Sequence, residues 1–398
     1  MDMLTRSPLD PLMDSLADFQ PGDSLFTAPG LGLQGQGCLL QATPRDQVSR
    51  CAARLLAQAA ERLAETNPPA KTQADAARPL LLGLLPYDPS GPAPARLLIP
   101  RSVRRTAAPP DAPPPCGTAI RRRHEHPDQP GYERSVRAAL EQLRQTSGLR
   151  KLVLARTLEL ELERPLDLPT VLARLWAASP HGYTYALPVS DDGQDYFLGA
   201  SPELLVRRTG RQVQVHPLAG TAARHPDPVE DARMAQALLD SPKDRLEHAV
   251  VVEAIEAALR PLCRTLDVPS RPALTSTARL WHLGTRIEGE LADPAISALD
   301  LAIALHPTPA VCGLPTAHAR RAIAALEPFE RGYFAGAVGW CDATGDGTWA
   351  VAIRCARSCG HRLTLSAGAG IVPGSVPALE YRETGNKLRT VLDALGIA

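Results

Sequence analysis

The chain has 398 residues, 44% of them hydrophobic, enough for a sizeable core in one large or two ordinary domains. Its 43 basic and 43 acidic residues cancel and only 4% are aromatic. It therefore lacks the electrostatic field and the stacking platforms that nucleic acid or an anionic membrane surface demands. The longest apolar run, Leu80 to Leu85, is too short to cross a bilayer, and the acidic N-terminus lacks the basic and apolar regions of a signal peptide. Eight cysteines are scattered without a CxxC pair, which reads as free thiols in a reducing compartment. The expectation is a cytosolic protein that binds neither nucleic acid nor membrane.

Residues 1 to about 25 are acidic and poorly patterned and read as a loosely held leader. GLGLQG, Gly30 to Gly35, has the glycine spacing of a dinucleotide-binding turn. That motif needs a helix directly after it, and CysLeuLeuGlnAla, a strand-like run, follows instead, so a Gly-rich hairpin is expected. Arg50 to Thr66 carries a helical apolar stripe, and the Leu80 to Leu85 run reads as a buried strand stopped by prolines. From Arg101 to Pro130 the composition is Pro- and Arg-rich, which predicts a surface loop.

A helix from Tyr132 to about Thr146 precedes Lys151 to Arg156, an alternating segment that predicts a strand with Lys151 at its start. A short helix, Thr170 to Ala178, leads into two strands joined at the AspAspGly turn, 191–193. Strands follow over 204–208 and 212–217, on either side of Gly210. Val229 to Leu262 is helical with a break near Ser241-Pro242. Within it Asp244, Glu247 and His248 fall at i, i+3 and i+4, on one face. Thr275 to Ile287 and Gly332 to Trp340 read as strands, and Trp349 to Cys355 with Arg362 to Ser366 as a hairpin. Hairpins mixed with long helices, without regular alternation, predict an α+β fold.

The most informative stretch is Ser366 to Lys387, SAGAGIVPGSVPALEYRETGNK. A turn with Gly368 and Gly370 is expected there, where residues lacking Cβ let backbone N–H groups approach an anion. A helix beginning near Pro377 then presents Glu380 and Glu383, at i and i+3, to a hard cation.

This stretch resembles the C-terminal signature of the chorismate-utilising enzymes: anthranilate, aminodeoxychorismate, isochorismate and salicylate synthases. The resemblance runs from about Tyr132 to the C-terminus through KLVLAR, GASPELLVRR, PLAGTAARHPD, SPKDRLEH, LWHLGTRIEG, LHPTPAVCG, EPFERGYFAGAVGWCD and AIRCAR. It is strongest to isochorismate synthases of siderophore pathways, with menaquinone synthesis as the other destination. It implies two layered antiparallel sheets with helices outside, formed by a divergent part (1–130, with the Pro-rich loop 101–130) and a chorismate-binding catalytic region (131–398) in one compact unit. It also implies Lys151 as general base and Glu203 as general acid in water attack at C2 of chorismate with loss of the C4 hydroxyl.

By the same resemblance Glu247 and Glu383 ligate Mg²⁺, with Asp244 and Glu380 one turn away as holders of metal-bound water. Arg354, the Gly368 turn and Lys387 take the enolpyruvyl carboxylate. Gly220 and Thr221 serve the metal-bound carboxylate. His306 either faces the ring or is a satisfied core residue. Salicylate synthase, which shares the lysine, is the nearest alternative, though Ala310, where the lyases tend to carry threonine, resembles the isochorismate synthases; a non-catalytic chorismate-binding homologue is a second. With no glutaminase signature and a lysine at 151, a water-using monomer without a glutaminase subunit is expected.

Overall fold

The computed structural model describes residues 16, 18–66, 79–114 and 117–397. The first part of the chain provides β1 (Ser24–Ala28), β2 (Leu31–Gln36), β3 (Leu40–Ala42), α1 (Val48–Thr66), β4 (Leu80–Leu85), β5 (Arg96–Ile99), β6 (Ser102–Thr106) and β7 (Ile120–His126). There follow α2 (Gln129–Gln145), β8 (Lys151–Leu162), α3 (Leu168–Ala178), β9 (Tyr183–Pro188), β10 (Tyr196–Ser201), β11 (Leu204–Thr209), β12 (Gln212–His216) and β13 (Leu218–Ala223). Helices α4 (Pro228–Asp240) and α5 (Pro242–Leu259) precede β14 (Cys263–Asp267), β15 (Ala273–Ser276), β16 (Leu280–Gly284) and β17 (Ile287–Leu291). The last part comprises α6 (Ala298–Leu305), β18 (Gly313–Leu314), α7 (Thr316–Leu326), β19 (Ala337–Asp342), β20 (Gly347–Val351), β21 (Cys355–Cys359), β22 (Arg362–Ile371) and α8 (Pro377–Leu395).

Two large antiparallel sheets result, so the α+β class holds. One runs β18-β8-β22-β21-β10-β9-β1-β2-β6, with β7 also paired to β8; the other runs β14-β17-β12-β11-β20-β19-β4-β5-β3. A small third sheet, β13-β16-β15, stands beside them. Strands from before residue 130 are built into both large sheets.

Strand periodicity sorts the side chains. In β8 the even positions Leu158, Leu160 and Leu162 join a cluster with Trp176 and Leu392, while Tyr132 of α2 donates its hydroxyl to the Leu154 carbonyl (3.0 Å). The odd positions Lys151 and Val153 therefore project from the opposite face of the strand, where a polar cleft lies. The helix break at Ser241-Pro242 has a local cause. Pro242 lacks an N–H, and the Ser241 hydroxyl accepts from Asp244 N (3.3 Å), so a new helix starts there.

Several expectations are corrected. The leader lies largely outside the described residues, but its last residues, Ser24 and Leu25, are buried strand. The 101–130 loop contains strands at both ends, β6 on β2 and β7 on β8, because pairing to a neighbouring strand satisfies a backbone whose composition alone suggests none. Thr275 to Ile287 is a β15-β16 hairpin and the start of β17, not one strand. Gly332 to Trp340 is strand only from Ala337. Trp349 to Cys355 does not form one arm of a hairpin: β20 belongs to the second large sheet and β21 to the first, and the chain crosses between sheets at 352–354. Nor is there a turn at Gly368 and Gly370, for both lie inside β22, paired with Ala155 and Val153 of β8.

A second crossing, Pro202-Glu203, takes the chain from β10 in the first sheet to β11 in the second. The two crossings are tied by backbone bonds, Ala200 N to Arg354 O (3.1 Å) and Val351 N to Glu203 O (3.1 Å). Glu203 and Arg354 are thus delivered to one place by adjacent departures from regular sheet. Arg354 does so at φ +53°, a left-handed conformation uncommon for a residue with a Cβ.

A buried ion pair braces this end of the molecule. Arg331 meets Glu327 at 2.8 Å through Nε and donates to the carbonyls of Val311 and Val153 (2.7 Å each), while Glu327 accepts from Ala155 N (2.7 Å). Removing one partner strands the other without solvent. Glu327→Ala should therefore cost about 3–5 kcal/mol in denaturant unfolding; a loss under about 1 kcal/mol would mean that water reaches Arg331.

Candidate active site

Between the two crossings, β13, β22 and α8 lies a cleft. Of the side chains singled out from sequence, Glu203, Gly220, Thr221, Glu247, Ala310, Arg354, Gly368 and Lys387 line it. Lys151 sits behind this lining, fully buried, with Nζ 3.0 Å from Glu247 Oε1. That is an ion-pair distance, and Nζ has no hydrogen-bond partner elsewhere. The contact depends on Gly370: a Cβ there would lie 1.9 Å from Glu247 Oε1 and 3.0 Å from Lys151 Cε. Gly370 is in β22 because a side chain at that position would fill the space of the pair.

Glu203 is 3% exposed, and burial raises its carboxyl to about 7, against the opposing pull of the Leu218 N–H (3.4 Å) and of Lys151, Lys387 and Arg354. Such a group holds its proton near neutral pH and can give it up to a leaving group. Burial lowers Arg354 to about 10, opposed by Glu383 and Glu203, which leaves it charged. Lys387 Nζ donates to Gly368 O (2.8 Å) and pairs with Glu383 (2.7 Å).

Asp244, Glu380 and Glu383 do not line the cleft. They gather with Glu247 on the facing first two turns of α5 and α8, and each carboxylate is turned to a lysine. Glu247 meets Lys151, Glu383 meets Lys387, and Lys243 Nζ stands 3.3 Å from Glu380 and 3.7 Å from Asp244. Turned apart in this way, no three metal-binding side chains among the described residues converge on one point. The set is nevertheless an all-oxygen one of the kind Mg²⁺ prefers. Burial and neighbouring carboxylates, Glu383 above all, raise Glu380, and burial raises Asp244, so the cluster carries more negative charge than its surroundings solvate. By donor type, though not as now turned, these residues suit a hard divalent cation.

His306 is a correction. It caps the end of α6, away from the cleft, with Nε2 2.9 Å from Pro86 O and 3.2 Å from Tyr87 O. Both neighbours are acceptors, so Nε2 carries the proton, and burial lowers the ring to about 4. Of its two expected roles, the satisfied core residue is the one observed. His248 is likewise structural, with Nε2 2.7 Å from the Thr285 hydroxyl.

Two site residues escape the motif reading. His282, inside LWHLG, lies with Nδ1 3.3 Å from both Thr221 Oγ1 and Gly220 O, and Nε2 3.3 Å from Arg354 Nη2. Arginine can only donate, so Nε2 is the acceptor and Nδ1 the donor. Burial, Arg354 and Lys387 keep this ring neutral, and it orients the guanidinium. The second is Lys243, inside SPKDR. Neither shows a local pattern that separates it from a core histidine or a solvated helix start.

The raised Glu203 has a consequence for stability. A carboxyl near 4.3 in the unfolded chain and about 7 in the folded one stabilises the fold fully below about pH 4, and that contribution is lost as pH rises through 7. Glu203→Gln escapes the loss. Its melting temperature should gain on the parent between pH 5 and pH 8, by at most about 3 kcal/mol equivalent; a gain independent of pH would mean that Glu203 is already ionised at pH 5.

A family model described as chorismate binding enzyme matches residues 99–396. Isochorismate synthase DhbC of Bacillus subtilis is 43% identical over 400 residues, covering 96% of this chain and 96% of that protein. The crystal structure of DhbC from Bacillus anthracis has 39% identity and a TM-score of 0.87, covering 96% of this chain and 99% of the other. That of MenF, the menaquinone-specific isochorismate synthase from Escherichia coli, has 26% identity and a TM-score of 0.79, covering 98% and 92%. The match begins at residue 99, upstream of the resemblance read from about Tyr132 onward, and its span includes every residue that lines the cleft. On this agreement of sequence and architecture, the chain belongs to the chorismate-binding enzyme family.

Proposed function

We propose that the protein is a Mg²⁺-dependent isochorismate synthase, converting chorismate to isochorismate. The observation that carries the reading is Glu203: a buried carboxyl able to hold a proton near pH 7, in one cleft with two substrate-sized cations, Arg354 and Lys387. The names of the relatives support the reaction.

Chorismate is a dicarboxylate whose C4 hydroxyl is a poor leaving group. Arg354, steadied by His282, and Lys387 would grip the enolpyruvyl carboxylate and fix the ring. Gly220 and Thr221 would border the second carboxylate; Gly220 adopts φ +75° at a bulge between Ala219 and Thr221, which brings its backbone to the cleft. Water adds at C2, Glu203 protonates the departing C4 oxygen, which leaves as water, and the ring double bonds shift. Lys151, as the neutral amine, would take the proton released by the attacking water, so protons and oxygen balance. Glu247, Glu383, Glu380 and Asp244 would hold Mg²⁺, which offers charge neutralisation at the ring carboxylate. With Glu247 engaged there, Lys151 Nζ would be left free to face the attacking water. Ala310 leaves its side of the cleft small and apolar, as expected for a synthase without lyase activity. Catalysis by one chain, without a glutaminase subunit, belongs to the same reading.

Incubating the protein with chorismate, with MgCl₂ or with EDTA, and separating the products tests the proposal. Isochorismate alone is expected, with activity lost in EDTA and reduced about 10²–10⁴-fold in Lys151→Ala. Salicylate with pyruvate would transfer the protein to the lyase branch, and unchanged chorismate would overturn catalysis. Gly370→Ala supplies an independent check. The added methyl displaces the end of a flexible glutamate rather than backbone, so turnover should fall about 100-fold while the melting temperature moves by only a few degrees.

A further inference from the structure

Only four of the 398 residues are lysine, Lys71, Lys151, Lys243 and Lys387, so 39 of the 43 basic residues are arginine. Three of those four stand at this one site, each against a carboxylate. Two have work in the reaction proposed above. Lys243 has none, and it lies outside the cleft lining.

The position of Lys243 is also locally unfavourable. It is the second residue of α5, where the unsatisfied N–H groups of the first turn repel a cation. What holds it there is the pair of carboxylates it bridges, Glu380 at 3.3 Å and Asp244 at 3.7 Å. Its side chain keeps 29% exposure, so a path to water is open. An ammonium is a compact point charge, whereas a guanidinium is a planar fork. In a chain so given to arginine, lysine here matches what a small cation would require of a substitute.

We propose that Lys243 is an internal counter-cation that neutralises the Asp244, Glu247, Glu380 and Glu383 cluster when no divalent ion is bound, and that swings out to solvent when one enters. The inference rests on the Mg²⁺ reading of the cluster. Lys243 holds the facing ends of α5 and α8 together in the metal-free protein, and its displacement is a cost that metal binding must meet. The affinity for Mg²⁺ is thereby set by a competition between two cations for the same oxygens.

Mg²⁺ alone, titrated into metal-free protein by calorimetry and by thermal melting, measures this without turnover. Lys243→Met should melt below the parent without metal, bind Mg²⁺ roughly tenfold more tightly and show the larger thermal shift on saturation. Lys243→Arg, which keeps the charge, should bind no more tightly than the parent. If Lys243→Met fails to fold without metal, Lys243→Met/Glu380→Gln, which removes one charge of each sign, restores folding and serves for comparison with Glu380→Gln alone; the lysine change should still tighten binding. Parent and variants binding Mg²⁺ equally, or the methionine variants more weakly, overturns the displacement and leaves the metal reading intact. No binding to any of them overturns the metal reading, and the displacement with it.

Discussion

The approach of Lys151 to Glu247 across Gly370 is the contact on which the site depends. A lysine at the start of a sheet strand and a glutamate on a helix reach 3.0 Å only because the intervening strand residue lacks a Cβ. Every other part of the site is arranged around that opening. Antiparallel pairing of β8 with β22 sets Gly370 opposite Val153, and Gly368 opposite Ala155. The even face of β8 packs on helices, so the odd face is left for chemistry.

Concentrating charge in a dry cleft lowers stability, and the fold offsets this nearby. Glu203 is held neutral at a cost that grows with pH, Arg354 adopts a left-handed conformation, and four carboxylates share one corner. Close by, Arg331 and Glu327 are fully engaged with each other and with the backbone of β8 and of the segment carrying Val311. One group of buried charges is satisfied and rigid. The other is held by three lysines against four carboxylates, contacts that a charged ligand can replace.

Much of this was legible in the residues. The alternation in KLVLAR placed Lys151 on a strand, the serine and proline at 241–242 marked the start of a helix, and the paired acids at 244/247 and 380/383 share one helix face each and gather at one corner. The failures are as instructive. Two glycines in β22 read as a turn because glycine is the commonest turn residue, whereas here they make room for side chains from elsewhere. His306 matched a motif position but spends its ring on two backbone carbonyls. Lys243 was hidden in a motif, and only the scarcity of lysine across the whole chain marks it out.

The sequence by itself determined the α+β class, the family and most of the singled-out residues that line the cleft, since these follow from short-range periodicity and from residue types in a fixed order. It could not determine which side chains meet. Trp349 to Cys355 looks like one strand, yet its two ends belong to different sheets, and that crossing puts Arg354 beside Glu203. The partners that decide this, β10, β11 and β13, lie more than a hundred residues away along the chain. Local patterns report how a segment is hydrogen-bonded and buried; only the closed tertiary packing selects which segments face one another, and with it the protonation and pairing of every buried charge in the cleft.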